Sequence, residues 1–167
     1  MEKPNPSSCL PGGMVTGRAA VSGWIRKYSE AWLKRDAKMA ASLFTENAMY
    51  RSHPFRPEVK GRGGVLEYTV GAFDLDEVYE IRFGRPVVDG LRAGVEYWGV
   101  MKEDGKDVTI AGCVMLRFGK SGLCEELRDY WILKEGRISP PKELSQGKRR
   151  EKADSGPKTS PLTDPIS

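Results

Sequence analysis

The sequence predicts an α+β fold in which helices gather on one side of a curved β-sheet, and three observations carry that expectation. Residues 92–134 read as three long consecutive strands joined by tight turns. An amphipathic helical stretch and a shorter companion precede them. The chain has 167 residues, enough for one compact domain that buries roughly two-thirds of its unfolded surface, with no room for a second.

Residues 1–17 hold three Pro, three Gly and two Ser without periodicity, so a disordered lead-in is expected there. From Arg18, apolar residues Val21, Trp24, Ile25, Tyr28 and Trp32 recur at helical spacing, with Arg26, Lys27, Glu30 and Lys34 turned away. This stripe needs a sheet to lie on. Asp36 is placed to cap a second helix over 37–44, facing Met39, Ala40, Leu43 and Phe44 inward. Residues 48–52 alternate as a short strand ending before His53-Pro54, with Tyr50 and Ser52 on one face. Beyond Gly61-Arg62-Gly63-Gly64, the run from Val65 to Phe73 reads as a third helix, and 77–83 alternates as another strand.

The long strands follow. Residues 92–102 contain Val95, Tyr97, Trp98 and Val100 and stop at an Asp104-Gly105 pair, a strong hairpin signal. Residues 107–118 are rich in β-branched and apolar types and end at Gly119-Lys120-Ser121-Gly122. In the third strand, 123–134, side-chain alternation puts Leu127, Asp129, Trp131 and Leu133 on one face. A carboxylate in an apolar row needs a partner or a job. Strands this long bend around the helices they carry, which makes the expected sheet a cone with an interior.

The net charge of +4 is uneven: residues 137–167 carry seven Lys/Arg against four Asp/Glu, leaving a near-neutral body. That body lacks the basic stripe a nucleic-acid surface needs. Beyond Gly136, Pro, Ser, Lys and Gly dominate and aromatics vanish, so 139–167 is expected to be a disordered basic tail in which Lys148-Arg149-Arg150 is simply solvated. The three cysteines, Cys9, Cys113 and Cys124, form neither a CxxC pair nor an even set, which argues against a disulfide framework or a zinc site. With no apolar run of about 20 residues and no apolar leader, a soluble cytoplasmic protein without membrane or nucleic-acid partners is expected. No metal or cofactor is expected either, since Gly61-Arg62-Gly63-Gly64 fits no dinucleotide fingerprint.

The element order, with Ala31-Trp32 before Asp36, the run Leu43 to Tyr50, Gly61-Arg62 and Leu127-Arg128-Asp129-Tyr130-Trp131, resembles the nuclear transport factor 2-like superfamily, and within it the SnoaL-like polyketide cyclase branch, over about residues 18–138. The resemblance implies a cone-shaped, antiparallel or mixed sheet packed against N-terminal helices, the cystatin-like α+β roll. It implies an apolar ring-containing metabolite in the cone, proton transfer by an Asp or His, and a homodimer through the sheet. Met49 to Pro54 is similar to the limonene epoxide hydrolase segment whose Tyr and Asn hold the attacking water, with Ser52 standing where Asn is expected, and Arg128-Asp129-Tyr130 is similar to the segment carrying a catalytic Asp of that family. The hydrolase's Arg and second Asp on the preceding strand are replaced by Glu96 and Trp98 in the best placement.

Asp129 is therefore the first catalytic candidate, because burial beside aromatics raises a carboxyl toward neutral titration. The plain alternative is a register-setting bond to Arg117 or Tyr50. Glu96, alternating with Trp98 and Val100, reads as a second carboxylate in the cone or a rim residue paired with an Arg. His53 is the one histidine, either a pocket acid/base or a solvated loop residue. Tyr50, Ser52, Trp98 and Trp131 are the ligand-binding candidates, with core packing as the alternative for the aromatics. Cys113 reads as an inert packed thiol. Ile110, Val114 and Leu116 are the candidates for an apolar outer face that docks a partner. A single bulge in 92–102 would exchange Glu96 and Trp98 for Tyr97 and Gly99 on the inner face.

Overall fold

The structure, a computed structural model, describes residues 17–145. The expected lead-in, apart from Gly17, and the tail from residue 146 onward lie outside the described residues. The elements are α1 (Arg18–Lys34), α2 (Ala37–Ser42), β1 (Phe44–Arg51), β2 (Val59–Lys60), α3 (Gly61–Ala72), β3 (Glu77–Phe83), β4 (Val87–Asp89), β5 (Arg92–Glu103), β6 (Lys106–Phe118), β7 (Cys124–Glu135) and α4 (Lys142–Ser145). They build the expected α+β architecture around one mixed sheet ordered β2-β1-β7-β6-β5-β3, with β4 on β5. Among the described residues only β1 and β7 pair in parallel.

Helix α1 buries Val21, Trp24, Ile25 and Tyr28 of the expected stripe together with Ala31, while Trp32 is half-buried. It packs along β3, while α3 packs on β1, so the helices span one face of the sheet from opposite edges. Asp36 caps α2 by accepting from the Met39 N–H at 2.9 Å. That helix stops at Ser42, short of the expected Phe44, because the chain is drawn into the sheet: the Cys124 N–H donates to Leu43 O at 2.9 Å and Phe44 pairs with Cys124. Tertiary pairing overrides a local helical pattern here. The same pairing lengthens β1, and the strands β2 and β4, of two and three residues, are too short for a two-residue period to mark.

The β5–β6 hairpin turns on Asp104 and Gly105, whose φ angles of 49° and 76° are those of a type I′ turn, so the glycine is required by conformation. Across β5, β6 and β7 the register pairs Val95 with Val114 and Val114 with Asp129, and Tyr97 with Gly112 and Gly112 with Trp131. The helix-covered, concave face therefore carries Ala93, Val95, Tyr97 and Met101 of β5, Ile110, Val114 and Leu116 of β6, and Leu127, Asp129, Trp131 and Leu133 of β7. Ile110, Val114 and Leu116, expected on the outer face, are instead buried in the core. Phe44, Phe118, Leu127, Val95 and Val114 are fully enclosed, each contributing roughly 1.5–3 kcal/mol relative to exposure.

The opposite, convex face is partly covered by the chain after β7. The Thr109 hydroxyl donates to Gly136 O at 2.6 Å and accepts from the Ile138 N–H at 3.0 Å, and Trp98 Nε1 donates to Ile138 O at 2.9 Å. Arg137 pairs with Asp107 at 2.8 Å and lies over the Tyr79 ring at 3.6 Å. Residues 139–145, part of the expected disordered tail, continue this strap into α4, whose Leu144 is buried beside Gly84. No helix among the described residues is long and apolar enough to cross a membrane.

Candidate functional site

Asp129 enters the concave interior from the middle of β7 and is only 9% exposed. Its partner is Tyr97, which stands two strands away on β5. The Tyr97 hydroxyl donates to the carboxylate and lies 3.0 Å from Oδ1 and 3.1 Å from Oδ2. To reach it, the Tyr97 ring crosses β6 above Gly112. A Cβ at that position would stand 2.9 Å from Tyr97 Cε1 and 2.5 Å from Tyr130 O, so only a glycine admits the crossing without displacement.

The interior around this pair is aromatic. Tyr28 of α1 and Tyr50 of β1 bring their hydroxyls to 3.4 Å, and Tyr68 of α3 packs on Tyr50 with centroids 5.0 Å apart. Phe83 of β3 bridges Tyr28 and Tyr97 at 6.2 and 5.6 Å. Burial lifts the Asp129 pKa from 3.8 to about 7, against the lowering effects of the Tyr97 hydroxyl and the Tyr130 N–H. Burial also raises the phenols of Tyr28, Tyr50 and Tyr97 well above their ordinary value, so they are neutral donors. The result is a carboxyl near half-protonation at neutral pH, able to give or take a proton and oriented by a hydroxyl.

Neither register partner offered by the sequence holds Asp129. Arg117 lies on the convex face, paired with Glu125 and with Glu126 at 3.1 Å, and the Tyr50 hydroxyl meets Tyr28. Tyr50 does share the interior with Asp129, as does half-buried Trp131, the next inward residue along β7. Ser52 is buried too, but it contributes its carbonyl, which accepts from Trp131 Nε1 at 2.6 Å. His53 stacks edge-on against Trp131 with centroids 5.3 Å apart, and Arg56 approaches the same ring at 5.7 Å. Among the described residues no hydrogen bond links His53 to Asp129.

Glu96 and Trp98 do not join Asp129. They lie on the convex face, because it is Tyr97 that pairs with Gly112 in the inward row. There they help line a groove of about 520 Å³ floored by Ala111, Cys113, Tyr130 and Ile132 and walled by His53 and Leu144. A second hollow of about 520 Å³ adjoins it at Glu96 and Cys113, and Asp129 lines neither. Among the described residues no group of three or more His, Cys, Asp or Glu is arranged to hold a metal ion.

A family model described as the SnoaL-like domain matches residues 25–127. The chain belongs to that family. The match ends at Leu127, so Asp129 stands on geometry. This SnoaL-like domain has no match among curated proteins. It resembles in fold SalBIII, described as an epoxide hydrolase/cyclase-like enzyme with a role in pyran ring formation in the polyether salinomycin. The TM-score is 0.61 at 19% identity, over 69% of this chain and 95% of that one. At that identity the likeness concerns the fold, which 350 solved chains share, so activity has to be argued from the site. Family and fold together make the protein a SnoaL-type enzyme or binding domain.

The sequence reading reached Tyr97 only through the alternative of a bulge, and it missed Tyr28 and Gly112. The signal was available: Ala93, Val95 and Tyr97 alternate as an apolar row, and Gly112 interrupts the β-branched run opposite them.

Proposed function

We propose that this SnoaL-like domain catalyses a cyclisation, isomerisation or dehydration of an apolar, ring-containing metabolite, with Asp129 moving the proton. The observation that carries the reading is the buried Asp129 carboxyl, poised near pH 7 and held by the Tyr97 hydroxyl within an aromatic interior. Aromatic walls with few polar groups suit a ring-containing substrate, and a carboxyl that titrates near ambient pH serves as acid in one step and base in the next. Tyr50 and Trp131 line the substrate in this reading. Epoxide opening by water would use the same carboxyl and differs in leaving solvent oxygen in the product. The test is turnover of a panel of cyclic and epoxide-bearing metabolites in oxygen-18 water, wild type beside Asp129→Asn. Turnover that survives the substitution rules the mechanism out.

A second reading is favoured by one observation: the two grooves lie on the convex face, which exposes Tyr130, Met115 and, at 74%, Ile132. In that reading the aromatic interior is structural and the convex face joins two copies into a homodimer. Sedimentation of Ile132→Lys against wild type tests it; equal mass for both removes this face as the interface.

A further inference from the structure

We infer that Tyr97, seated over the side-chain gap at Gly112, is the positioning residue for Asp129: its hydroxyl fixes the carboxyl's orientation and sets how tightly the carboxyl holds its proton. The inference deepens the acid/base reading and rests on it. The two strands that carry Tyr97 and Asp129 are not neighbours, since β6 lies between them. A tyrosine side chain normally stands upright from its sheet, and residue 112 is the position it must pass over to bond a carboxyl on the far strand. With no Cβ at Gly112, the ring passes over the strand and the hydroxyl arrives nearly equidistant from both carboxyl oxygens, at 3.0 and 3.1 Å.

The groups that face Asp129 are Tyr28 from α1, Tyr50 from β1 and Tyr97 from β5, with Tyr68 from α3 behind Tyr50, while the Cys113 thiol of β6 lies on the opposite face of the sheet. Among the described residues Tyr97 is the one side chain that donates a hydrogen bond to the carboxyl. A hydroxyl that donates to a carboxylate stabilises its ionised form. Tyr97 therefore offsets part of what burial does, so that Asp129 holds its proton less tightly than burial alone would make it.

The test is a carboxyl-resolved carbon-13 NMR titration of the full chain as wild type, Asp129→Asn for assignment, and Tyr97→Phe. Phenylalanine keeps the ring over Gly112 and removes only the hydroxyl. The Asp129 midpoint should rise by about one to two pH units in Tyr97→Phe, the amount a hydrogen bond to a charged group supplies. A folded Tyr97→Phe protein whose Asp129 midpoint equals that of wild type overturns the positioning role. A wild-type midpoint near that of an ordinary aspartate instead overturns the acid/base reading beneath it, so the two failures are distinct. In wild type itself, the hydroxyl-bearing carbon of Tyr97 should shift with the same midpoint as Asp129, which keeps the test intact independently of any variant. Gly112→Ala should displace the ring and raise the midpoint in the same direction; a folded Gly112→Ala protein with an unchanged midpoint overturns the role of the gap.

Discussion

Asp129 and Glu96 are carboxylates on the same stretch of sheet, joined through β6 by the pairs Glu96–Cys113 and Val114–Asp129, and they point to opposite sides. Glu96 is exposed beside a solvent-open groove. Asp129 lies under the helices against Tyr97, where burial shifts its titration to about 7. The chemistry available to an acid here is set by the face it occupies, and the face is set by pairing register. A carboxylate by itself marks nothing; one enclosed among neutral phenols becomes a proton donor and acceptor at neutral pH.

The largest test of this contrast is Asp129→Asn, which should lower kcat/KM by about 10²–10⁴-fold, the usual worth of a positioned general acid or base, without loss of fold. Next is packing on the two faces of β7. Leu127→Ala, in the enclosed row, should cost roughly 2–5 kcal/mol in denaturant unfolding, while Ile132→Ala, on the convex face, should stay within about 0.5 kcal/mol. Equal costs would mean that the convex face is buried in solution and would break the contrast.

Stability against pH follows from Asp129 with a definite sign. Its folded pKa, raised from 3.8 to about 7, means that the folded state binds this proton more tightly than the unfolded chain. The contribution is complete below the unfolded value and is lost as pH rises toward about 7, amounting to at most about 4 kcal/mol. Asp129→Asn should flatten this slope in urea titrations taken across that window. The smallest effect concerns thiols: Cys113, half-buried on the convex side, should react with a thiol reagent before Cys124, which is buried and pushed up to about 12.

Strand positions were legible in the sequence because alternation and the Asp104-Gly105 turn are local signals. The inward face of β5 was not, because apolar residues occupy both of its sides. Val95 and Tyr97 join the core under the helices, whereas on the other side Trp98 bonds to the strap that follows β7 and Val100 is buried as well. Cover supplied by residues some forty positions away, as in the Trp98 to Ile138 bond, leaves no trace in a two-residue period. The same holds for Phe44, whose strand partner Cys124 lies far along the chain. Asp129 itself was legible, since a charge in an apolar row is a local anomaly; the tyrosine that holds it was not, because their meeting depends on a glycine in the strand between.

The parallel pairing of β1 with β7 also gives the molecule a timetable. Trp131 bonds to Ser52 across 79 residues, and Tyr50 pairs with Leu127. At about 5–20 residues per second during synthesis, β1 is made several seconds before its long partner strand exists. Until then, of its two edges only the one that meets the short β2 has a strand to pair with. Contacts of such high sequence separation slow folding, and the packing around Asp129 waits on them. The nascent chain therefore carries an open strand edge while all the residues between β1 and β7 are made, and that edge is where association with the wrong strand would begin.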